Sequence, residues 1–138
     1  MTQIREVMTK NPRAVRPDDT VVDAARLMRD EDTGIAPIVD GDGKLAGVIT
    51  DRDIALRVVA EERDPRATKV TDVASQNLVT VDPQQDLDEA LRLMEQHQVR
   101  RLPVTEEDGK LVGILAQADV ARHTDPRRTG ELVEEISE

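Results

Sequence analysis

The residues best placed to do chemistry stand in one short run, Gly47-Val48-Ile49-Thr50-Asp51-Arg52-Asp53. An ionised carboxylate such as Asp53 only accepts hydrogen bonds, which suits a pair of neighbouring hydroxyls such as a cis-diol. A threonine hydroxyl beside the free N–H groups of a helix start suits an anion. The same spacing, Thr50-x-x-Asp53, is also that of a capping box, in which the two side chains do no more than close the first helical turn. A second run of the same pattern carries Asp119 but has Ala116 where the threonine stood. Alanine has no oxygen to cap with, so an aspartate kept three residues after it points to a carboxylate with a role beyond the cap. Arg100 and Arg101 precede Leu102-Pro103-Val104. Their guanidinium groups could grip phosphate in bidentate fashion, or simply lie along a strand edge with buried stems and solvated heads.

Other candidates for chemistry read as structure. His97 and His123 lack a metal-binding constellation beyond an isolated Asp119-to-His123 spacing, and are expected to be surface histidines with no metal site. Asp40-Gly41-Asp42-Gly43 lacks the remaining ligands of a calcium loop and reads as a hairpin turn. With 29 acidic side chains, carboxylate pairs have no discriminating power. No nucleophile has a recognisable base beside it, so an enzyme is not expected.

Composition narrows the function further. The 138 residues include no cysteine, tryptophan, tyrosine or phenylalanine, which excludes disulfides, thiolate metal sites and aromatic stacking platforms. A purine would have to rest against aliphatic groups. The net charge of -10 repels nucleic acid and anionic membrane. No stretch approaches the roughly 20 apolar residues of a membrane span, and MTQIREVMTKNP lacks the apolar core of a signal peptide. The expectation is a cytoplasmic protein.

The elements that must position these residues are written twice. At an offset of 66, Val7 to Arg57 aligns without a gap on Val73 to His123, with 16 identities in 51 positions. They include Asn11/Asn77, Pro37/Pro103, Gly47/Gly113 and Asp53/Asp119. In each copy a turn leads into Thr20-x-x-Asp23 or Asp86-x-x-Glu89, a capping box or close variant. The helix that follows has an apolar stripe: Val21, Ala24, Ala25 and Met28 in one copy, Leu87, Ala90, Leu91 and Met94 in the other. Met28 and Met94 are therefore core or interface residues.

Two apolar runs then form a hairpin, Ile35 to Val39 with Leu45 to Thr50, and Leu102 to Thr105 with Leu111 to Ala116. A second helix starts near Asp51 or Gln117, with Ile54, Ala55, Val58 and Val59 on its buried face in the first copy. With short first strands at Ala14-Val15 and Thr80-Val81, each copy reads strand, helix, strand, strand, helix, an α+β fold. A unit of this size buries too little surface alone, so the two copies should pack about a pseudo-two-fold axis with binding clefts between them. Ala60 to Thr68 is the expected connector, and Ile4 to Met8 and Val70 to Ala74 are matching helical lead-ins. The expected organisation is a first repeat with its connector over 1–66, a second over 67–123, and an acidic tail over 124–138, where Leu132, Val133 and Ile136 form a short stripe.

The succession Val-Met-Thr-x-Asn-Pro, Pro-Asp-x-Thr-Val, Ala-x-x-Leu-Met, Ala-Pro-Ile-Val-Asp, Gly-x-Leu-x-Gly-Val-Ile-Thr-Asp-Arg-Asp-Ile resembles the cystathionine-β-synthase (CBS) domain, which occurs in tandem pairs called Bateman modules. The resemblance covers residues 4–123. It implies a stand-alone regulatory pair that binds an adenosine compound (AMP, ADP or ATP, and less commonly S-adenosylmethionine or NAD), homodimerises, and signals to an effector protein. By the same resemblance, the Gly-x-x-Thr-x-x-Asp aspartate takes the ribose hydroxyls. One site would join Thr50 and Asp53 to Asn77, Val79, Thr80 and Val99, with backbone around Ile35 and Ala36. The second would join Asp119, Arg100 and Arg101 to Pro12, Arg13, Ala14 and Thr33. Gly34 and Ile35 occupy the places of Arg100 and Arg101, so the two pockets should differ in affinity or occupancy. The alternative, favoured by Ala116, is a dimerisation or protein-interaction scaffold with vestigial pockets.

Overall fold

A computed structural model describes residues 1–75 and 78–123. Asn77 and the tail from Thr124 to Glu138 lie outside the described residues. In chain order the elements are β1 (Thr9–Lys10), α1 (Val21–Glu31), β2 (Ile35–Val39), β3 (Leu45–Thr50), α2 (Asp51–Ile54), α3 (Val70–Val73), α4 (Leu87–His97), β4 (Arg101–Thr105), β5 (Leu111–Ala116) and α5 (Gln117–Ala121). A 3-10 turn at Ile4–Glu6 precedes β1, and α2 runs into a π-helical turn at Ala55–Val59.

The chain folds into two compact units that are not the two halves of the sequence. A middle unit spans Arg13–Leu78, and a split unit joins Met1–Pro12 to the chain from Val79. The division at residues 66 and 67 follows the repeat in the sequence; the packing follows the lead-ins, each of which leaves its own copy. Ile4 is fully buried against Leu91, Leu102 and Leu115 in the split unit, and Val70 and Val73 are buried among Val21, Ile38 and Ile49 in the middle unit. The backbone bonds match pair by pair. Ile4 N–H donates to Gln85 O and Leu87 N–H to Thr2 O, each at 2.9 Å; Val70 N–H donates to Asp19 O and Val21 N–H to Thr68 O, also at 2.9 Å. The lead-ins thus satisfy helix-start N–H groups that would otherwise lack partners.

In the middle unit β2 and β3 form an antiparallel pair, flanked by bridges from Val15 to Ile38 and from Ser75 to Val48. The split unit repeats this with β4 and β5, a bridge from Val81 to Val104, and β1 paired with β5. The expected first strands at 14–15 and 80–81 are thus single bridges, and β4 starts at Arg101, one residue early. The hairpin turns place Gly43 and Gly109 at φ 83° and 90°, where a side chain would be strained. Gly47 and Gly113, equivalent in the two repeats, have another cause, since there the lead-in crosses the strand. A Cβ at Gly47 would stand 3.3 Å from Ser75 O, and one at Gly113 would stand 3.0 Å from Thr9 O and overlap the Met8 side chain.

The helices follow their caps. Thr20 Oγ1 accepts from Asp23 N–H, and Asp23 Oδ2 accepts from Thr20 N–H at 2.9 Å, a complete capping box. Asp86 instead accepts from Asp88 N–H at 3.1 Å, and Glu89 turns to Arg92. That hydrogen bond, aided by the arginine's charge, holds the Glu89 carboxyl below its ordinary pKa. The α4 stripe of Leu87, Ala90, Leu91 and Met94 is buried as the spacing predicts, whereas in α1 Leu27 is buried and Ala25 is exposed. The expected buried face after Asp51 is also corrected: Val58 is inside, but Ala55 is exposed and Val59 is 69% exposed. The π turn, closed by Ala60 N–H on Ala55 O at 2.9 Å, adds a residue to the turn and breaks the i, i+4 phase.

Candidate functional site

At the end of β3 the backbone of Thr50 is extended, and the chain turns directly into α2. Thr50 N–H donates to Asp53 Oδ2 at 2.9 Å, and Asp53 N–H donates to Thr50 Oγ1 at 3.1 Å. The capping box therefore forms and uses one carboxylate oxygen; Asp53 Oδ1 has no hydrogen-bond partner among the described residues. Both side chains are half-buried. Ile35 faces Thr50 across the β2–β3 ladder, and Asp51 N–H donates to Gly34 O at 3.0 Å. The structure thus brings Thr50, Asp53 and Ile35 to one end of the middle unit's hairpin. Ala36, opposite Ile49, is fully buried, so it offers that surface no side-chain atom.

The middle unit also holds three residues expected at the second site. Arg13 is paired with Asp30 at 3.9 Å and Glu31 at 3.5 Å, at the end of α1. Ala14 is exposed beside it, and Thr33 Oγ1 accepts from Ile35 N–H at 3.3 Å.

In the split unit, Arg101 faces Ala116 across the β4–β5 ladder and Gln117 N–H donates to Arg100 O at 2.7 Å. The two arginines therefore border the point from which α5 starts. Neither guanidinium has an ion-pair or hydrogen-bond partner among the described residues. Ala116 caps α5 without a side-chain bond, as alanine must. Asp119 is held instead by an ion pair with Arg122, one turn further along. Arg122 was missed in the sequence because it lies outside the Gly-x-x-Thr-x-x-Asp run, although its i, i+3 spacing from Asp119 was the available signal. Val79 and Val99 are half-buried against the split unit's core, Thr80 is half-buried next to Val81, and Pro12 is half-buried at the end of that unit's first segment.

Both histidines are exposed, and among the described residues no group of three or more histidine, aspartate or glutamate side chains is placed to hold a metal ion. No helix among the described residues is long and apolar enough to cross a membrane. A shallow groove of about 470 Å³ in the middle unit is lined by Leu56, Arg57, Glu61, Arg63, Asp72 and Val73, and by neither Thr50 nor Asp53.

Two repeats of strand, helix and hairpin, each ending in an aspartate at a helix start, define a class, and the CBS domain pattern matches residues 4–60 and 70–125. The chain belongs to the CBS-domain family. It is 38% identical over 136 residues to hypoxic response protein 1 of Mycobacterium tuberculosis, covering 99% of this chain and 94% of that one. The crystal structure of Hypoxic Response Protein I with two coordinated zinc ions superposes with a TM-score of 0.82 at 39% identity, covering 90% of this chain and all of that one. The crystal structure of CBSX2 in complex with AMP superposes at 0.77 with 29% identity, covering 89% and 96%. The zinc belongs to the first of these proteins; the present chain has no cysteine and, among its described residues, no clustered donor set for the ion.

Proposed function

We propose that this chain is a regulatory module that binds an adenosine-containing ligand, with the ribose held by Asp53. The observation that carries the reading is the division of labour within that carboxylate. One oxygen closes the capping box, and the other keeps its lone pairs with no partner among the described residues. A cis-diol can supply the missing donors. The Thr50 hydroxyl and Ile35 stand beside it, Ile35 offering the aliphatic contact on which a purine or ribose must rest in a chain without aromatic rings. The AMP complex of CBSX2, a protein of the same family, supports the class of ligand. AMP, ADP and ATP are the first candidates, ahead of S-adenosylmethionine and NAD, and the bound state is read by an effector protein.

The test is calorimetric titration of the full chain with these five compounds and with GTP as control, since the chain has no tryptophan or tyrosine to report binding by fluorescence. Asp53→Ala is expected to weaken the adenosine ligand by about 1.5–3 kcal/mol, the worth of a hydrogen bond to a charged group. Unchanged affinity in that variant would remove Asp53 from the site.

A second reading has its own observation. Leu56, 49% exposed, and Val59, 69% exposed, are the large apolar side chains that the π turn leaves outside, with Met1 the other exposed one among the described residues. This face is where a second copy of the chain docks to form the homodimer, and a scaffold without any ligand would need nothing else.

A further inference from the structure

Asp53 and Asp119 occupy the same place in the two repeats and differ in what holds them. One turn beyond Asp53 stands Leu56, and the next guanidinium, Arg57, donates to Val73 O at 3.0 Å, away from the carboxylate. One turn beyond Asp119, the place of Leu56 is taken by Arg122, whose Nη2 donates to Asp119 Oδ1. The Asp119 side chain is 19% exposed and that of Arg122 is 72% exposed, so the carboxylate is fixed at the helix start while its partner is free to swing into solvent. Arg100 and Arg101 border the same helix start, and their guanidinium groups have no partner among the described residues. A chain of net charge -10 therefore carries, at this end of the split unit, one arginine paired with Asp119 and two more whose backbones border the start of its helix.

We propose that Arg122 is a specificity-determining residue: it holds Asp119 Oδ1, so a bare nucleoside meets a carboxylate with one oxygen already engaged, whereas a ligand that brings phosphate draws Arg122 away and frees both oxygens for the ribose diol. The Asp119 half-site then discriminates against the bare nucleoside and favours the polyphosphate, whereas the Asp53 half-site, with Leu56 in the same place, does not. This rests on the adenosine-ligand reading above and adds to it the rule by which the two halves choose. Exchange is cheap, because an exposed ion pair of this spacing is weak and phosphate is the stronger partner for a guanidinium.

The experiment uses the full chain with Asp53→Ala, so that the Asp119 half-site is read alone, and compares it with Asp53→Ala plus Arg122→Leu, which installs the residue that the first repeat has there. Arg122 is largely solvent-exposed, so its replacement leaves the core untouched. Titration with adenosine and with ATP should show adenosine binding strengthened by about 1.4- to 5-fold, the worth of an exposed pair, and ATP binding weakened by about 10-fold or more. An unmoved ratio of the two affinities overturns the inference, as does a change of the same sign for both ligands. If the unmutated chain binds ATP but Asp53→Ala binds nothing, the inference fails and the Asp53 reading stands. If the unmutated chain binds neither ligand, both fail together.

Discussion

At the scale of the residue, a cap and a binding group are separable by what each costs to remove. Thr50→Ala deprives Asp53 N–H of its acceptor and should lower stability by about 1 kcal/mol in urea unfolding, with Thr50→Ser close to the unmutated protein. Ala116 holds the same extended conformation before α5 and makes no side-chain bond, so Ala116→Thr should move stability the other way by a similar amount. Two shifts of the same sign would mean that the caps are not equivalent. Both roles of Thr50-x-x-Asp53 were legible in the sequence because both depend on residue type and spacing alone. What spacing could not show is that the cap takes only one oxygen of Asp53. Nor could the run itself include Arg122, whose claim on Asp119 depends on side-chain direction.

At the scale of the element, hairpins and long helices were legible, since strict periodicity and Asp-Gly turns act locally. Two failures have physical causes. The π turn shifted the apolar phase after Ala55, and a register defined by backbone bonds leaves no mark in an apolar pattern. The lead-ins are legible as a matched pair, but a segment of four or five residues carries nothing that says which sheet it will join. Its trace is the glycine it requires in the partner strand. Gly113→Ala must push a Cβ against Thr9 O and the Met8 side chain, and should cost about 1–3 kcal/mol in urea unfolding. Gly47→Ala, 3.3 Å from its nearest neighbour, should cost less. Equal small costs at both positions would mean that the lead-ins are not tightly seated.

At the scale of the whole molecule, a net charge of -10 makes most of the surface repel a second copy. The Leu56 and Val59 face differs: it is apolar at its centre, and the adjoining groove carries Arg57 and Arg63 together with Glu61 and Asp72. Sedimentation at micromolar concentration should show a dimer, and the double change Leu56→Glu with Val59→Glu should shift it to monomer. A monomer before mutation would end the dimer reading.

The exchange of lead-ins also sets an order of events during synthesis. The middle unit is continuous, Arg13–Leu78, so its core can close as soon as its last residues leave the ribosome. The split unit cannot. Ile4 is translated before the middle unit, yet Leu91, Leu102 and Leu115, against which it packs, are still to be translated when Leu78 appears. At translation rates of about 5–20 residues per second, its site is completed roughly 2–8 s after the middle unit's. Through that interval the nascent chain displays an uncovered isoleucine ahead of a finished unit, a segment for a chaperone to hold or for a neighbouring chain on the same message to capture.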